Sequence, residues 1–444
     1  MDVQSALKLV PLLFIGAFLS SCEQSKTSTS VFPENAGQGN SYCGSNRIIP
    51  DKFIVSWEDG RITLESAKDA DAFARDFIEP RLSEIRYVEH DKYVQMPVIP
   101  KLKPIGEAKI SPDCPSGSYG FTPSWHATIV NAPELWNQNI KGQGVVVAVV
   151  DTGLDYEHPK IKPSLAVNST ELFGRAGVDD DLNGYIDDVY GYDLLNGRGA
   201  NYPEDHGTHV AGIIASSPTA TLGTGPEPTG VAPESQIIGV KFLGTGPNSG
   251  QVSKAIQAIE YAVSRGAKIV NASWGGDECS PTLKATVEKY QDRLLFVTAS
   301  GNDGRDLDIS PSYPAAYEIP NQITVAASQP NDFLAGFSNT SYRSVHLGAP
   351  GYSVLSTIPF RPDRPVTDGI SGNQVGYDCY SGTSMATPVV SAAAALLWSA
   401  APLATVQQVK EALIEGTDPR NYRVQSSGRL NVVKALEVLR RKMQ

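Results

Sequence analysis

Five apolar runs constrain the fold of this chain more than any other feature of its sequence. They are VVVAVV at 145–150, IIGVKFL at 237–243, KIVNAS at 268–273, RLLFVTA at 293–299 and QITVAA at 322–327. A strand that is apolar along its whole length is covered on both faces, as in a parallel sheet. Segments with helical periodicity, such as VSKAIQAIEYAVSRG, lie between the runs. The alternation predicts an α/β fold in which helices flank a parallel sheet.

Size and charge exclude several classes of function. With 444 residues, the chain is long enough for two or three compact units and a large core. Its formal net charge is −11, which argues against a phosphate-backbone partner and so against nucleic-acid binding. No internal apolar run is long and uniform enough to predict a membrane-spanning helix, and SAAAALLWSAA at 391–401 predicts a buried helix.

The N-terminus has the pattern of an export signal. Lys8 precedes an apolar stretch at 9–19, and Ser20, Ser21 and Cys22 follow. This pattern resembles a bacterial lipoprotein signal, in which Cys22 becomes the lipidated N-terminus. An ordinary secretion signal with an incidental cysteine is the alternative. Glu23 favours outer-membrane sorting, so we expect a protein of the bacterial cell envelope that is lipid-anchored or released to the exterior.

Composition and periodicity divide the chain into segments. A strand at 53–55, a helix between Ser66 and Pro80, and a second strand at 85–94 predict a small α/β unit. A stretch rich in Ser, Thr, Gly and Asn precedes this unit, and an aperiodic stretch rich in Pro, Lys and Gly follows it. The predicted segments are a signal at 1–21, a flexible tether at 22–47, the α/β unit at 48–96, a junction at 97–120 and a large domain at 121–444.

Three residues suited to nucleophilic catalysis follow predicted strands or begin predicted helices. Asp151 follows the first apolar run in VVDTG, His206 lies in EDHGTHVAG, and Ser384 lies in GTSMATP before an Ala-rich stretch. A carboxylate can hold an imidazole in one tautomer, and that imidazole can take the seryl proton. A serine at a helix N-terminus lies where partial positive charge stabilises an oxyanion. The three residues therefore predict an Asp-His-Ser triad.

These motifs resemble those of the subtilisin-like serine peptidases (subtilases), whose triad has the same chain order. The resemblance runs from about Trp125 to the C-terminus. It implies a serine endopeptidase that hydrolyses protein or peptide substrates through an acyl-enzyme, with no organic cofactor. SGND at 300–303 resembles the oxyanion segment of the family, which implies that Asn302 donates its side-chain amide beside the Ser384 backbone N–H.

The resemblance also implies where substrate binds. The segment SWGG is similar to one wall of the primary specificity pocket, and Gly301 to the other. GTGPNSG at 244–250 is similar to the edge that pairs with extended substrate through main-chain hydrogen bonds. For Trp274, an ordinary core aromatic is an equal alternative. The implied substrate-binding residues are Ser273, Trp274, Gly275, Gly276 and Gly301.

Other interpretations of these motifs are weaker. An aspartic-peptidase dyad needs a second DTG or DSG, which the sequence does not contain. His206 and His209 have i, i+3 spacing, but no HExxH glutamate accompanies them, so we expect His209 to be a packed helix residue. The remaining alternative to a peptidase is a catalytically silent envelope lipoprotein that keeps the scaffold for protein binding.

An acidic loop predicts structural calcium. It follows the first nine positions of an EF-hand-type loop, with Gly184 at the turn. The twelfth position holds Tyr190 in place of the bidentate glutamate, and a solvated acidic loop is the alternative. The predicted calcium ligands are Asp179, Asp181, Asn183, Tyr185 and Asp187.

The 48–96 unit resembles the inhibitory prodomain of the subtilases, most closely in YVEHD at 87–91. The resemblance implies that the prodomain acts as an inhibitor and that autocleavage falls near Met96, between Val94 and Gly106. Such a cut would separate the enzyme from the lipid on Cys22, which anchors the chain to the membrane.

The four remaining cysteines of an exported chain predict two disulfides, with three pairings formally possible. We expect Cys43–Cys114 to keep the cleaved halves joined and Cys279–Cys379 to brace the wall of the cleft.

Overall fold

A computed structural model describes residues 47–98, 123–199, 203–219, 227–246, 249–359 and 376–444. The predicted signal, most of the tether and most of the junction lie outside these residues. Cys22, Cys43 and Cys114 lie there too, so their predicted roles are not addressed by the structure.

The described residues form fifteen strands. In chain order they are β1 Ile48–Trp57, β2 Ile62–Ser66, β3 Ile85–Val94, β4 Val146–Asp151, β5 Gly191–Asp193, β6 Gln236–Lys241, β7 Gly250–Gln251, β8 Ile269–Ala272, β9 Leu295–Ala299, β10 Gln322–Ser328, β11 Leu347–Pro350, β12 Val354–Thr357, β13 Tyr377–Tyr380, β14 Thr417–Pro419 and β15 Gly428–Leu430.

The same residues form ten α-helices and three short turns of other helix types. The α-helices are Ala70–Phe73, Trp125–Ile129, Ala132–Trp136, Ser169–Leu172, Asp205–Ala215, Val252–Ser264, Pro281–Lys289, Thr383–Ala400, Val406–Glu415 and Val432–Lys442. The turns are Ala74–Ile78, Glu79–Arg81 and Lys162–Ser164.

The large domain is built on a nine-stranded sheet with the order β14-β15-β11-β10-β9-β8-β4-β6-β5. The strand pairs described in it are parallel except β14–β15. All five apolar runs became strands of this sheet. Alternate residues of β4 pack into two different cores, Val147 and Val149 on one face and Ala148 and Val150 on the other. Burial on both faces explains the continuous apolar pattern, and the predicted fold class is confirmed.

The helix Thr383–Ala400 packs against the centre of the sheet and is buried from Thr383 to Trp398. Its length and composition would suffice to cross a membrane, but 89% of its apolar window is buried inside the protein. A helix covered in this way belongs to the core, as the Ala-rich sequence predicted.

The N-terminal unit, residues 47–98, forms the sheet β2-β1-β3 with its own small core around Phe53, Phe73 and Val88. Its helix is capped by Asp69, whose side chain accepts from two backbone N–H groups. Ser66, where the sequence predicted the start of the helical segment, lies instead at the end of β2. The helical region also does not stop at Pro80, because this proline is accommodated in the turn Glu79–Arg81.

Candidate active site

The end of β4 and the start of the helix Asp205–Ala215 bring Asp151 and His206 into contact. Both side chains are buried, and His206 Nδ1 lies 2.8 Å from Asp151 Oδ1. The approach is close because residue 207 is glycine: a Cβ there would lie 2.1 Å from the Gly153 carbonyl oxygen. His206 Nε2 is buried and has no hydrogen-bond partner within the described part of the chain, so it is available to accept a proton.

Ser384 is the second residue of the helix Thr383–Ala400, which packs against the helix that carries His206. The hydroxyl of Ser384 donates to the Ser273 carbonyl oxygen over 3.3 Å. In return, Ser273 Oγ donates to the Ser384 carbonyl oxygen over 2.9 Å. These two bonds fix the start of the helix against the end of β8. They place Ser273, a predicted substrate-binding residue, directly beside the predicted nucleophile.

Asn302 is oriented by the residue that precedes Ser384. Its Oδ1 accepts from the Thr383 N–H and from Thr383 Oγ1, each over 2.8 Å, so its Nδ2 faces away from the helix. A Cβ on Gly382 would stand 3.1 Å from Asn302 Nδ2 and 3.6 Å from the Ser384 backbone nitrogen. Glycine therefore leaves open the space between two donors, which is the arrangement needed to hold an oxyanion.

The C-terminal tail of the N-terminal unit runs through this cleft in an extended conformation. Val94 pairs with Gly250 as β3 meets β7. Gln95 and Gly275 exchange two backbone hydrogen bonds of 3.1 and 3.0 Å. Three residues later, the Val98 carbonyl oxygen accepts from Asn302 Nδ2 over 3.0 Å. The tail thus lies where an extended peptide would form main-chain bonds with both edges.

Trp274 is fully buried with this tail in place and packs edge-on against Phe242 and Phe296. This position corresponds to the core-aromatic alternative. His209 is also buried and stacks on Tyr380, with ring centroids 4.4 Å apart. Burial lowers the pKa of His209 to about 3, so the ring is neutral and packed, as the sequence suggested.

Comparison with known proteins decides the family. The model of the subtilase family matches residues 142–431, well over half of the chain. This chain belongs to the subtilase family.

Its relatives include the major intracellular serine protease of Bacillus subtilis (strain 168), which is 36% identical over 274 residues. That match covers 61% of this chain and 73% of the relative. Subtilisin-like protease 1 of Plasmodium falciparum (isolate 3D7) is 33% identical over 287 residues, covering 60% of this chain but 39% of the relative. Membership of this family, together with these relatives, shows that the chain is a serine endopeptidase.

Among solved structures, fervidolysin from Fervidobacterium pennivorans, a keratinolytic enzyme related to subtilisin, superposes with a TM-score of 0.67 at 25% identity. The match covers 88% of this subtilase and 61% of the fervidolysin chain. The fold prediction, including strands in the N-terminal unit, agrees with this neighbour.

The acidic loop of this subtilase gathers a different set of carboxylates from the one the sequence predicted. Ligand atoms of Glu171, Asp181 and Asp188 lie within 4.8 Å of one another. Of the predicted ligands, only Asp181 belongs to this group. Asp179 accepts from the backbone N–H groups of Asn183 and Gly184 instead.

The other three predicted ligands have different surroundings. Asn183 donates its side-chain amide to Asp181 and Asp188, each over 3.1 Å. Asp187 accepts from the Gly177 N–H. The ring of Tyr185 packs edge-on against Tyr192 and Tyr261. The sequence pattern missed Glu171 and Asp188 because Glu171 comes from a short helix upstream and Asp188 lies at a position where the EF-hand template has no ligand.

Cys279 and Cys379 are both buried and both disulfide-bonded. The cysteines predicted to form the other bond, Cys43 and Cys114, lie outside the described residues. The pairing of the four therefore stays a prediction.

Proposed function

We propose that this subtilase cleaves peptide bonds by attack of Ser384 Oγ on the scissile carbonyl carbon. The observation that carries the proposal is the 2.8 Å contact between His206 and Asp151, with His206 Nε2 left free beside the helix of Ser384. In this arrangement Asp151 holds the imidazole in the tautomer that carries its proton on Nδ1, so that Nε2 can act as the general base.

His206 carries one proton from Ser384 to the leaving group during the reaction. His206 Nε2 takes the proton of Ser384 Oγ as the C–O bond forms, and later gives it to the leaving amine as the C–N bond breaks. Water then hydrolyses the acyl-enzyme by the same route in reverse. Ser384 Oγ must first rotate away from the Ser273 carbonyl. Asn302 Nδ2 and the Ser384 N–H would stabilise the negative oxygen of the tetrahedral intermediate.

The N-terminal unit is proposed to be a prodomain that inhibits the enzyme and is removed by autocleavage. Its tail occupies the cleft, and the carbonyl presented to Asn302 belongs to Val98. We infer from this contact that Val98–Ile99 is the scissile bond, two residues beyond Met96 and inside the window expected from the sequence. Maturation of the full chain should give an N-terminus at Ile99, and none in Ser384→Ala. A mature N-terminus at another residue would overturn the assignment.

Two buried carboxylates of the prodomain hold it on the peptidase domain. Asp91 accepts from the backbone N–H and the hydroxyl of Ser253, at the start of the helix Val252–Ser264. Glu89 accepts from Ser280 Oγ and from the Thr282 N–H, at the start of the helix Pro281–Lys289. Helix N-termini favour negative charge, so these contacts would keep the prodomain bound after the cut.

We also propose that lipid on Cys22 anchors the chain to the bacterial cell envelope and that a disulfide preserves the attachment after autocleavage. A cut at Val98–Ile99 leaves Cys43 on the lipid side and Cys114, Cys279 and Cys379 on the enzyme side. Every pairing of Cys43 with one of these three therefore joins the two fragments. A mature protein that separates into two fragments on a non-reducing gel would contradict the tether.

Structural calcium is proposed at Glu171, Asp181 and Asp188. Glu171 and Asp188 are buried, and oxygen donors of this kind suit Ca²⁺. Arg265 lies 2.9 Å from Asp188 and supplies one positive charge to the group. A divalent cation would compensate the remaining charge and tie the acidic loop to the short helix Ser169–Leu172.

The test of the proposed activity is peptide hydrolysis by the purified, matured chain. We expect cleavage of extended protein substrates at neutral pH and none in Ser384→Ala. A correctly folded wild-type protein with no turnover would support the silent scaffold instead.

A further inference from the structure

Each wall of the proposed specificity pocket ends in an aspartate. Asp277 directly follows Gly276 on one wall, and Asp303 directly follows Asn302 on the other. A single guanidinium spans the two. Arg305 Nη2 lies 2.8 Å from Asp277 Oδ1 and 3.0 Å from Asp303 Oδ2, so the two carboxylates face each other across one nitrogen.

Hydrogen bonds to Asn339 hold the backbone of the loop that carries Asp303 and Arg305. The buried Asn339 accepts from the backbone N–H groups of Arg305 and Asp303 through its Oδ1, over 2.8 and 3.0 Å. Its Nδ2 donates to the Ser300 carbonyl over 3.0 Å. The loop that carries Asp303 and Arg305 is therefore fixed to the end of β9, and the side-chain bridge is the link to the opposite wall.

The bridge lies beside the pocket. Asp303 Oδ2 is 3.8 Å from the point where a Cβ on Gly301 would stand, and Gly301 forms part of the wall. Side-chain exposures are 60% for Asp277, 55% for Asp303 and 29% for Arg305, so solvent and a substrate side chain can approach all three groups. Two carboxylates share one cation, which leaves the group with a charge of −1.

We propose that Arg305 is a specificity-determining residue. Its bridge sets the separation of the two pocket walls, and its positive charge offsets half of the negative charge that would otherwise attract a basic side chain. The inference rests on the proposed function, because it takes the space between the walls as the site of the residue before the scissile bond. With Arg305 in place, lysine or arginine at that position meets a guanidinium as well as the two acids. An apolar residue at that position neither gains nor loses binding energy from these charges.

The test is the ratio of kcat/KM for two peptides that differ only by lysine or leucine before the scissile bond. Arg305→Gln leaves two unpaired carboxylates at the pocket. The variant also removes one positive charge. An ammonium about 7 Å from that charge in solvent is repelled by an energy worth roughly threefold in binding, so we expect the lysine-to-leucine ratio to rise roughly threefold. The gain should shrink as ionic strength rises, because exposed charges are screened.

Two further variants separate charge from packing. Asp277→Asn with Asp303→Asn leaves Arg305 unpaired, and we expect the ratio of glutamate to leucine cleavage to rise in place of the lysine ratio. When Asp277→Asn and Asp303→Asn are combined with Arg305→Gln, the rise in the lysine-to-leucine ratio should disappear. Arg343→Gln removes an exposed ion pair with Glu318 elsewhere on the surface and is the matched control, with an unchanged ratio.

The outcomes are distinct from those of the proposed activity. Active enzyme is titrated with a fluorophosphonate before each assay. Loss of cleavage for all peptides alike, with constant ratios, would mean that Arg305 only maintains the structure and would overturn the inference. Failure of the wild-type chain to cleave any peptide would refute the proposed function itself.

Discussion

Acid should destabilise this protein through histidines that are buried in their neutral form, and His126 offers the cleanest case. Its ring is 1% exposed, and neither ring nitrogen has a hydrogen-bond partner within the part of the chain that the structure describes. Burial lowers the pKa of His126 to about 4. Below a pH of about 6.5 the unfolded chain therefore binds a proton at this site that the folded chain does not.

The direction and the size of the change in stability with pH follow from that difference in pKa. Stability contributed by neutral His126 is fully present above a pH of about 6.5 and is lost as the pH falls toward 4. At pH 5, about 1.5 units below the unfolded pKa, the loss is about 2 kcal/mol at 1.36 kcal/mol per unit. His346 and His209, each with a pKa lowered to about 3 by burial, add to the same slope.

The perturbation is His126→Leu in a Ser384→Ala background, which prevents self-digestion. Urea unfolding at pH 8 and at pH 5 gives the free energy of unfolding of each variant. We expect the drop between the two pH values to be about 2 kcal/mol smaller with leucine than with histidine at this position. The comparison uses each variant as its own reference at pH 8, so the packing cost of leucine cancels. An equal drop in both variants would refute the reasoning.

Three further predictions follow from the site and its surroundings. Asn302→Ala should lower kcat by about 10²–10³, the range found for loss of such a donor in subtilisin, with KM little changed in steady-state assays of peptide cleavage. Asp91→Ala removes two charge-assisted bonds to Ser253, worth about 3 kcal/mol together. It should therefore speed the appearance of activity after the proposed autocleavage by roughly 150-fold, and equal lag times on activity traces would contradict this. Calcium at 100 times its Kd should stabilise the protein by about 2.7 kcal/mol and so raise the thermal midpoint of unfolding. Asp181→Asn should abolish that rise. The control Asp59→Asn, on the surface of the N-terminal unit, should leave the rise unchanged.

The sequence was sufficient to predict the central sheet because its strands are buried on both faces and so carry a continuous apolar signal. Short peripheral strands such as β5 and β14 carry no such signal. Three residues are too few for periodicity, and their place is set by pairing with β6 and β15. The residues proposed as nucleophile, base and acid could be predicted from short motifs, because they are adjacent in sequence to the turns that position them.

The remaining features depend on contacts between distant residues. Glu171 meets Asp188 only after the acidic loop has folded, and Arg305 meets Asp277 only when two strands are neighbours. The same reason explains why the sequence pointed to Met96 and not to Val98, the residue that we propose precedes the scissile bond. The proposal for Val98 rests on the length of tail between the pairing with Gly275 and the amide of Asn302.

The proposed mechanism requires a seryl hydroxyl that is activated by an imidazole, and covalent labelling measures that activation directly. A fluorophosphonate should modify the matured chain at a single serine, and peptide mass spectrometry should place the adduct on Ser384. Labelling should be slowed by orders of magnitude in His206→Ala and in Asp151→Asn, which keeps the shape of the acid but favours the wrong tautomer. An adduct on another residue, or a rate that is unchanged in both variants, would contradict the account.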